Sequence, residues 1–124
     1  MENTEFEELI LKYISELPKK YKDDIINDNV AILVDYDNYT HLDNPKKNSS
    51  DVTLGLFQGV PKTAEPGHYN GLPRIITFFK KSFELVCSND EEISVKLKKV
   101  LIHEIAHYYG IMDEDKLKAL GYGF

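Results

Sequence analysis

Residues 88–113 read SNDEEISVKLKKVLIHEIAHYYGIMD and hold both the longest helical pattern of the chain and its most informative motif. Apolar residues recur there every three or four positions, as on one face of a helix: Leu97, Leu101, Ile105 and Tyr108. Ser88 and Glu91 match the capping-box pattern of a helix start, and Gly110 can adopt the left-handed backbone that ends a helix. We therefore predict a helix that begins after Ser88 and ends at Tyr109.

The last turns of this helix carry the motif H-E-x-x-H, in which Glu104 follows His103 and His107 completes the pattern. Positions i and i+4 lie one turn apart on the same helix face, so the two imidazoles can converge on one metal ion. At about 100° per residue, this face is nearly opposite the apolar one and is shared with Lys96 and Lys99. Glu104 points to its flank, where a carboxylate can take a proton from a water molecule that the metal acidifies.

A third metal ligand is expected from the chain that follows the helix. A reversal at Gly110 would swing Asp113 back toward the two histidines, and Glu114 is the alternative ligand. Asp113 has a competing role as the cap of a last short helix that ends near Leu120. Two imidazoles, one carboxylate and one open position are typical of a catalytic zinc site, so we predict one Zn²⁺ ion. The same ligands also suit iron, nickel or cobalt.

Other chemically suitable residues lie outside the motif. His68 and Tyr69, in a loop rich in glycine and proline, are candidate donors to a developing oxyanion, although packing of the loop onto the sheet is the favoured interpretation. Cys87 has no basic neighbour at helical spacing, and we interpret it as inert. As the single cysteine of the chain, it also rules out an internal disulfide.

The remaining patterns predict a small fold of mixed helices and strands. Residues 6–17 follow a helical period up to Pro18, and residues 19–26 predict a short helix. Residues 80–87 fit either another short helix or a continuation of the preceding strand, and we favour the helix. Apolar and β-branched runs predict three strands, at residues 30–34, 54–60 and 74–79. The fold class is therefore α+β, with a small twisted sheet packed against an N-terminal helix and the long helix, in one domain over residues 1–124.

Two glycines, Gly55 and Gly59, interrupt the second predicted strand. Glycine weakens an ordinary strand and often marks a bulge or a close approach of another element to the backbone. We therefore expect one of these irregularities in this strand.

The composition limits the classes of function. A formal net charge of −6 argues against nucleic acid or an anionic membrane as the main partner. No apolar run approaches the roughly 20 residues that span a bilayer, and the acidic first eight residues differ from the start of a secretory signal. With its lone cysteine the chain suits a reducing compartment. We expect a cytoplasmic protein, and a monomer is compatible with this composition.

With these residues in view, the chain resembles the small bacterial zincin-like metallopeptidases, also called minimal zincins. Their motif H-E-x-x-H-x-x-G-x-x-D matches residues 103–113 without a mismatch. The likeness extends over most of the chain, through residues 17–18, 30–34, 55–61, 72–77 and 120–122. It implies a zincin-like α+β domain in which the active-site helix packs under a small twisted sheet.

The resemblance also implies the roles of the motif residues in a metallopeptidase that acts on a peptide or protein substrate. His103, His107 and Asp113 would be the zinc ligands, and Glu104 would be the catalytic general base. In zincins an edge strand above the cleft pairs with an extended peptide, and residues 54–60 are our candidate for it. The alternative hypothesis is a non-catalytic module that keeps the metal site for stability or for binding a partner peptide. A purely structural metal site has no need of Glu104, which favours the enzyme.

Overall fold

The computed structural model describes residues 1–39, 52–62 and 73–111, which form four helices and three strands. The helices are α1 (Asn3–Ser15), α2 (Lys19–Asn27), α3 (Lys80–Val86) and α4 (Asp90–Tyr109). The strands are β1 (Ala31–Asp35), β2 (Gly55–Gln58) and β3 (Ile75–Phe79). The predicted α+β class is confirmed, and the predicted elements of this part of the chain are present with boundaries shifted by less than one helical turn.

The sheet has the order β1-β3-β2, so β3 lies at its centre. β1 pairs with β3 in parallel, with Leu33 opposite Thr77, and β2 pairs with β3 antiparallel, with Leu56 opposite Thr77. Among the described strands, β2 therefore occupies one edge of the sheet, as predicted for this segment.

One hydrophobic core joins the sheet to the helices. Ile76 and Phe78 alternate along β3 and point to the same face of the sheet. The buried residues around them come mainly from α1 and α4: Phe6, Ile10, Phe83, Ile93, Leu97, Leu101, Ile105 and Tyr108. The α4 members include the whole apolar stripe that the sequence predicts. Burying this stripe fixes the rotation of α4 about its axis, and it leaves His103 and His107 outside the core cluster.

The start of α4 differs from the prediction by one residue. Asn89 is the N-cap, and its side-chain oxygen accepts a hydrogen bond of 2.9 Å from the backbone N–H of Glu92. The Glu92 carboxylate in turn accepts a hydrogen bond of 3.0 Å from the backbone N–H of Ser88. The predicted capping box of Ser88 and Glu91 was wrong because the backbone is still extended at Asn89 and becomes helical only at Asp90.

The end of α4 is as predicted. Gly110 has a φ of 88°, in the left-handed region that favours glycine. Its N–H donates to the carbonyl of His107 and the N–H of Ile111 donates to the carbonyl of Ala106, both at 2.9 Å. These two bonds form a Schellman motif, which ends the helix two residues after the second motif histidine.

Within residues 1–39, 52–62 and 73–111, no helix combines the length and the apolar character needed to cross a bilayer.

Candidate active site

The two motif histidines lie side by side on α4. The ring centroids of His103 and His107 are 4.3 Å apart, and the ring planes meet at 68°. The His107 side chain is 24% exposed, so the imidazole is still accessible to a ligand. Burial and the neighbouring His103 lower the pKa of His107. The imidazole is therefore neutral near physiological pH, and this is the form that binds metal ions.

The Glu104 side chain is buried between α4 and β2. The residue is only 3% exposed, and its carboxylate accepts a hydrogen bond from the backbone N–H of Phe57. Its Oε1 lies 3.5 Å from Nδ1 of His107. Burial raises the pKa of Glu104 to about 7, although the Phe57 N–H favours the charged form. Because it is buried, Glu104 is not a surface charge that pairs with the lysines of α4. Its carboxylate is a proton acceptor beside the two imidazoles.

Gly55 allows β2 to approach this part of α4 closely. A Cβ atom at Gly55 would lie 2.7 Å from Cγ1 of Val100 and 3.1 Å from Cγ of Glu104. The close backbone approach expected from the glycines of this strand is therefore present at Gly55. It brings β2 near enough for the Phe57 N–H to hold the Glu104 carboxylate.

Replacing Gly55 by Ala should destabilise the protein by about 1–3 kcal/mol, because the added methyl group overpacks a tight contact. Val100 cannot turn away freely, since a β-branched side chain on a helix has one preferred χ1 rotamer. The cost should fall sharply when Val100 is also replaced by Ala, which removes the clashing methyl group. Urea denaturation of the two single variants and the double variant measures this coupling. An equal cost of Gly55→Ala in both backgrounds would contradict the contact.

A cleft of about 510 Å³ opens between the beginning of β2 and the middle of α4. Residues 52–55 line its strand side. The helix side carries the three motif residues together with three further side chains: Lys96, Lys99 and Val100. The motif face of α4 thus opens onto space that can hold a ligand, and both predicted lysine neighbours are part of it.

The remaining candidate residues have different outcomes. Asp113 and its alternative Glu114 lie outside the described residues, as do His68 and Tyr69. Among the residues that the structure does describe, no three His, Cys, Asp or Glu side chains gather around a common point. The third ligand therefore stays a prediction. Burial and the charge of Glu92 raise the pKa of Cys87 and so keep it a thiol, which agrees with an inert residue.

A polar network holds the end of α4 against α2. The Tyr108 hydroxyl donates to the Asp28 carboxylate, and the Tyr109 hydroxyl donates to Asp24 at 2.6 Å. Lys62 also contacts Asp28, at 2.8 Å, and the guanidinium of buried Arg74 lies 3.6 Å from it. This network could not be predicted from the sequence, because the partners in the two tyrosine contacts are 80 and 85 residues apart and no local pattern links them.

Comparison with protein families gives a match that includes the region of this candidate site. A family model described as zincin-like metallopeptidase matches residues 27–123, which include all three strands and α4. The comparison with curated proteins found no match. The family match covers well over half of the chain and contains the helix with both histidines and the strand that holds Glu104. The chain therefore belongs to the zincin-like metallopeptidase family.

Proposed function

We propose that this chain is a zinc-dependent peptidase in which Glu104 is the catalytic base and His103, His107 and Asp113 are the metal ligands. One observation carries the proposal. A carboxylate that is almost completely buried lies beside two imidazoles at the wall of an open cleft. Burying a carboxylate costs free energy, and a structural metal site would not require this carboxylate.

The donor set suits zinc. Two imidazoles one helical turn apart can bind one zinc ion together, and a carboxylate such as that of Asp113 would complete a three-ligand site with one open position. A zinc ion bound there would supply a Lewis acid that polarises the scissile carbonyl and acidifies the attacking water. The Schellman motif at Gly110 supports Asp113 in this role, since it ends the helix three residues before that carboxylate.

Glu104 would carry the proton in the reaction. Its carboxylate would accept the proton of the attacking water and then deliver it to the leaving amine nitrogen. The hydrogen bond from the Phe57 N–H would keep the carboxylate oriented while its protonation changes. The strand β2 would therefore be part of the catalytic arrangement as well as of the sheet.

The peptide would bind along β2. This strand pairs with β3 on one side only among the described strands, and residues 52–55 form one wall of the cleft. An extended substrate can add to such an edge by backbone hydrogen bonds. These bonds would fix the position of its carbonyl groups relative to α4. This would place the scissile bond near the face that bears His103 and Glu104.

A peptide-library digest with mass spectrometry tests the proposed function. Zinc-loaded protein should produce new peptide termini, and chelation should stop their formation until zinc is restored. Cleavage that persists in metal-free protein would exclude zinc-dependent hydrolysis. Protein that binds zinc and peptides without producing any new terminus would instead favour the non-catalytic module.

A further inference from the structure

We propose that Lys96 and Lys99 form an anion-binding subsite in the cleft, so that the preferred peptide carries a carboxylate two or three residues to one side of the scissile bond. This inference rests on the proposed function and adds the substrate class.

The two lysines lie where two clefts meet. Both line the cleft that contains His103, Glu104 and His107, and both also line a second cleft of about 530 Å³ beyond it. Apart from Glu104, none of the described residues lining the first cleft is acidic. A ligand that extends along α4 from the motif histidines must therefore pass two ammonium groups.

Four of the nine lysines on the described helices have an acidic partner, and Lys96 and Lys99 are among the five that do not. Lys19, Lys20, Lys80 and Lys98 each form an ion pair, at 2.7, 3.0, 3.5 and 3.9 Å respectively. Within the part of the chain that the structure describes, neither Lys96 nor Lys99 has a carboxylate within 4.0 Å.

Glu92 lies one turn before Lys96 and is the natural intrahelical partner for it. Its carboxylate instead accepts the backbone N–H of Ser88 at the start of α4. On the side of the first cleft, where Glu104 is the only acidic residue among the described lining residues, the positive charge of the lysine pair is not neutralised, whereas Glu91 and Glu92 line the second cleft with the same lysines. Such a local concentration of positive charge attracts an anionic ligand.

The spacing along α4 gives the position of the anion on a peptide. With a rise of about 1.5 Å per residue, Lys99 and Lys96 lie about 6 Å and 10 Å along the axis from His103. An extended peptide advances about 3.4 Å per residue. A carboxylate that reaches both lysines therefore belongs to a peptide residue two or three positions away from the peptide residue that lies next to His103. Either an acidic side chain or the C-terminal carboxylate supplies this chemistry.

The test uses short labelled peptides that differ only in the position of one glutamate, each with a free and an amidated C-terminus. Fluorescence anisotropy measures their dissociation constants on zinc-loaded Glu104→Gln protein, and cleavage rates are measured on protein with the natural Glu104. A correctly placed carboxylate should tighten binding by about 3- to 20-fold, as expected for two partly exposed ion pairs. If the increase in affinity requires the free C-terminus, the lysines bind the terminal carboxylate. If glutamate increases the affinity of amidated peptides as well, the lysines bind the glutamate side chain.

Three variants isolate the lysines. The double variant K96Q/K99Q should lose the preference for the carboxylate, and K96E/K99E should prefer a peptide with lysine at the same position. The matched control is Lys98→Gln, because Lys98 is on the same helix but pairs with Glu16 instead of lining the cleft. This control should keep the full preference.

The outcomes separate this inference from the proposed function. A preference that is absent in the starting protein, or unchanged in K96Q/K99Q, overturns the subsite even if cleavage is normal. A lysine-dependent preference in binding, without any cleavage by the protein that has Glu104, supports the subsite and overturns the peptidase.

Discussion

Replacing Glu104 by Gln should reduce peptide hydrolysis by about 10²- to 10⁴-fold while zinc stays bound. Glutamine has nearly the same size, and its side-chain oxygen can still accept the N–H of Phe57 that now holds the carboxylate. It cannot accept a proton from water, so the chemical step is lost and the fold is kept. The measurement is kcat/KM on a peptide found in the digest, with zinc content determined on the same samples.

A stability measurement shows that such a loss is not caused by unfolding. Burial raises the pKa of Glu104 to about 7, so the folded, metal-free protein disfavours the charged carboxylate. Because the folded pKa is above the unfolded value, this unfavourable contribution grows as the pH rises above about 4. The metal-free Gln variant should therefore be at least as stable as the starting protein at about pH 8.

Glu8→Gln is a matched control, since Glu8 is an exposed glutamate on α1 that does not line the cleft of the motif residues. It should change kcat/KM by less than about 2-fold. Retention of more than about a tenth of the activity in Glu104→Gln would remove Glu104 from the mechanism.

Replacing Asp28 by Ala should lower the free energy of unfolding by about 2–4 kcal/mol. The Asp28 side chain is only 18% exposed, and that of Arg74 is fully buried. Loss of the carboxylate would remove an acceptor from the Tyr108 hydroxyl and the nearby charge that offsets the buried guanidinium. Removing one partner of such a buried group costs more than the interaction itself contributes, because the other partner remains desolvated.

Asp23→Ala is the matched control on the same helix. Asp23 pairs with Lys19 at 2.7 Å, but both side chains are exposed, so its loss should cost less than about 0.5 kcal/mol. Urea denaturation of the two variants compares them directly. Equal costs would show that the network around Asp28 contributes no more than a surface ion pair.

The effect of Asp28 should also depend on pH in a defined direction. Burial acts to raise the pKa of Asp28, but hydrogen bonds from Lys62 and Tyr108 and the charge of Arg74 lower it overall. A folded pKa below the unfolded one gives stability that is present above the unfolded pKa and is lost as the pH falls through the folded pKa. The difference in unfolding free energy between Asp28→Ala and the starting protein should therefore shrink as the pH falls below about 4.

The parts of the fold that follow from local patterns could be predicted from the sequence. The apolar stripe from Leu97 to Tyr108 repeats with the period of a helix, and this repeat alone fixes which face of α4 is buried. The same repeat places His103 and His107 away from the core. Gly110 ends the helix for a local reason as well, because a left-handed backbone conformation favours glycine. The start of α4 was predicted one residue early, because Ser88 and Asn89 are adjacent and both are good capping residues.

The contacts between distant segments could not be predicted from such patterns. The burial of Glu104 depends on Gly55, and the sequence only indicated that a strand with two glycines would be irregular. Nothing local links Asp28 to Tyr108, which lie 80 residues apart. The motif therefore predicts which side chains share a helix face, and the neighbouring strand determines the environment of the carboxylate.

Zinc content of the purified protein and its variants tests the central claim most directly. After zinc loading and removal of free metal, the starting protein and Glu104→Gln should each hold about one zinc ion per chain. His103→Ala and His107→Ala should lose it, and Asp113→Ala should weaken binding while Glu114→Ala does not. Zinc retained at the same affinity in both histidine variants would contradict the site on α4.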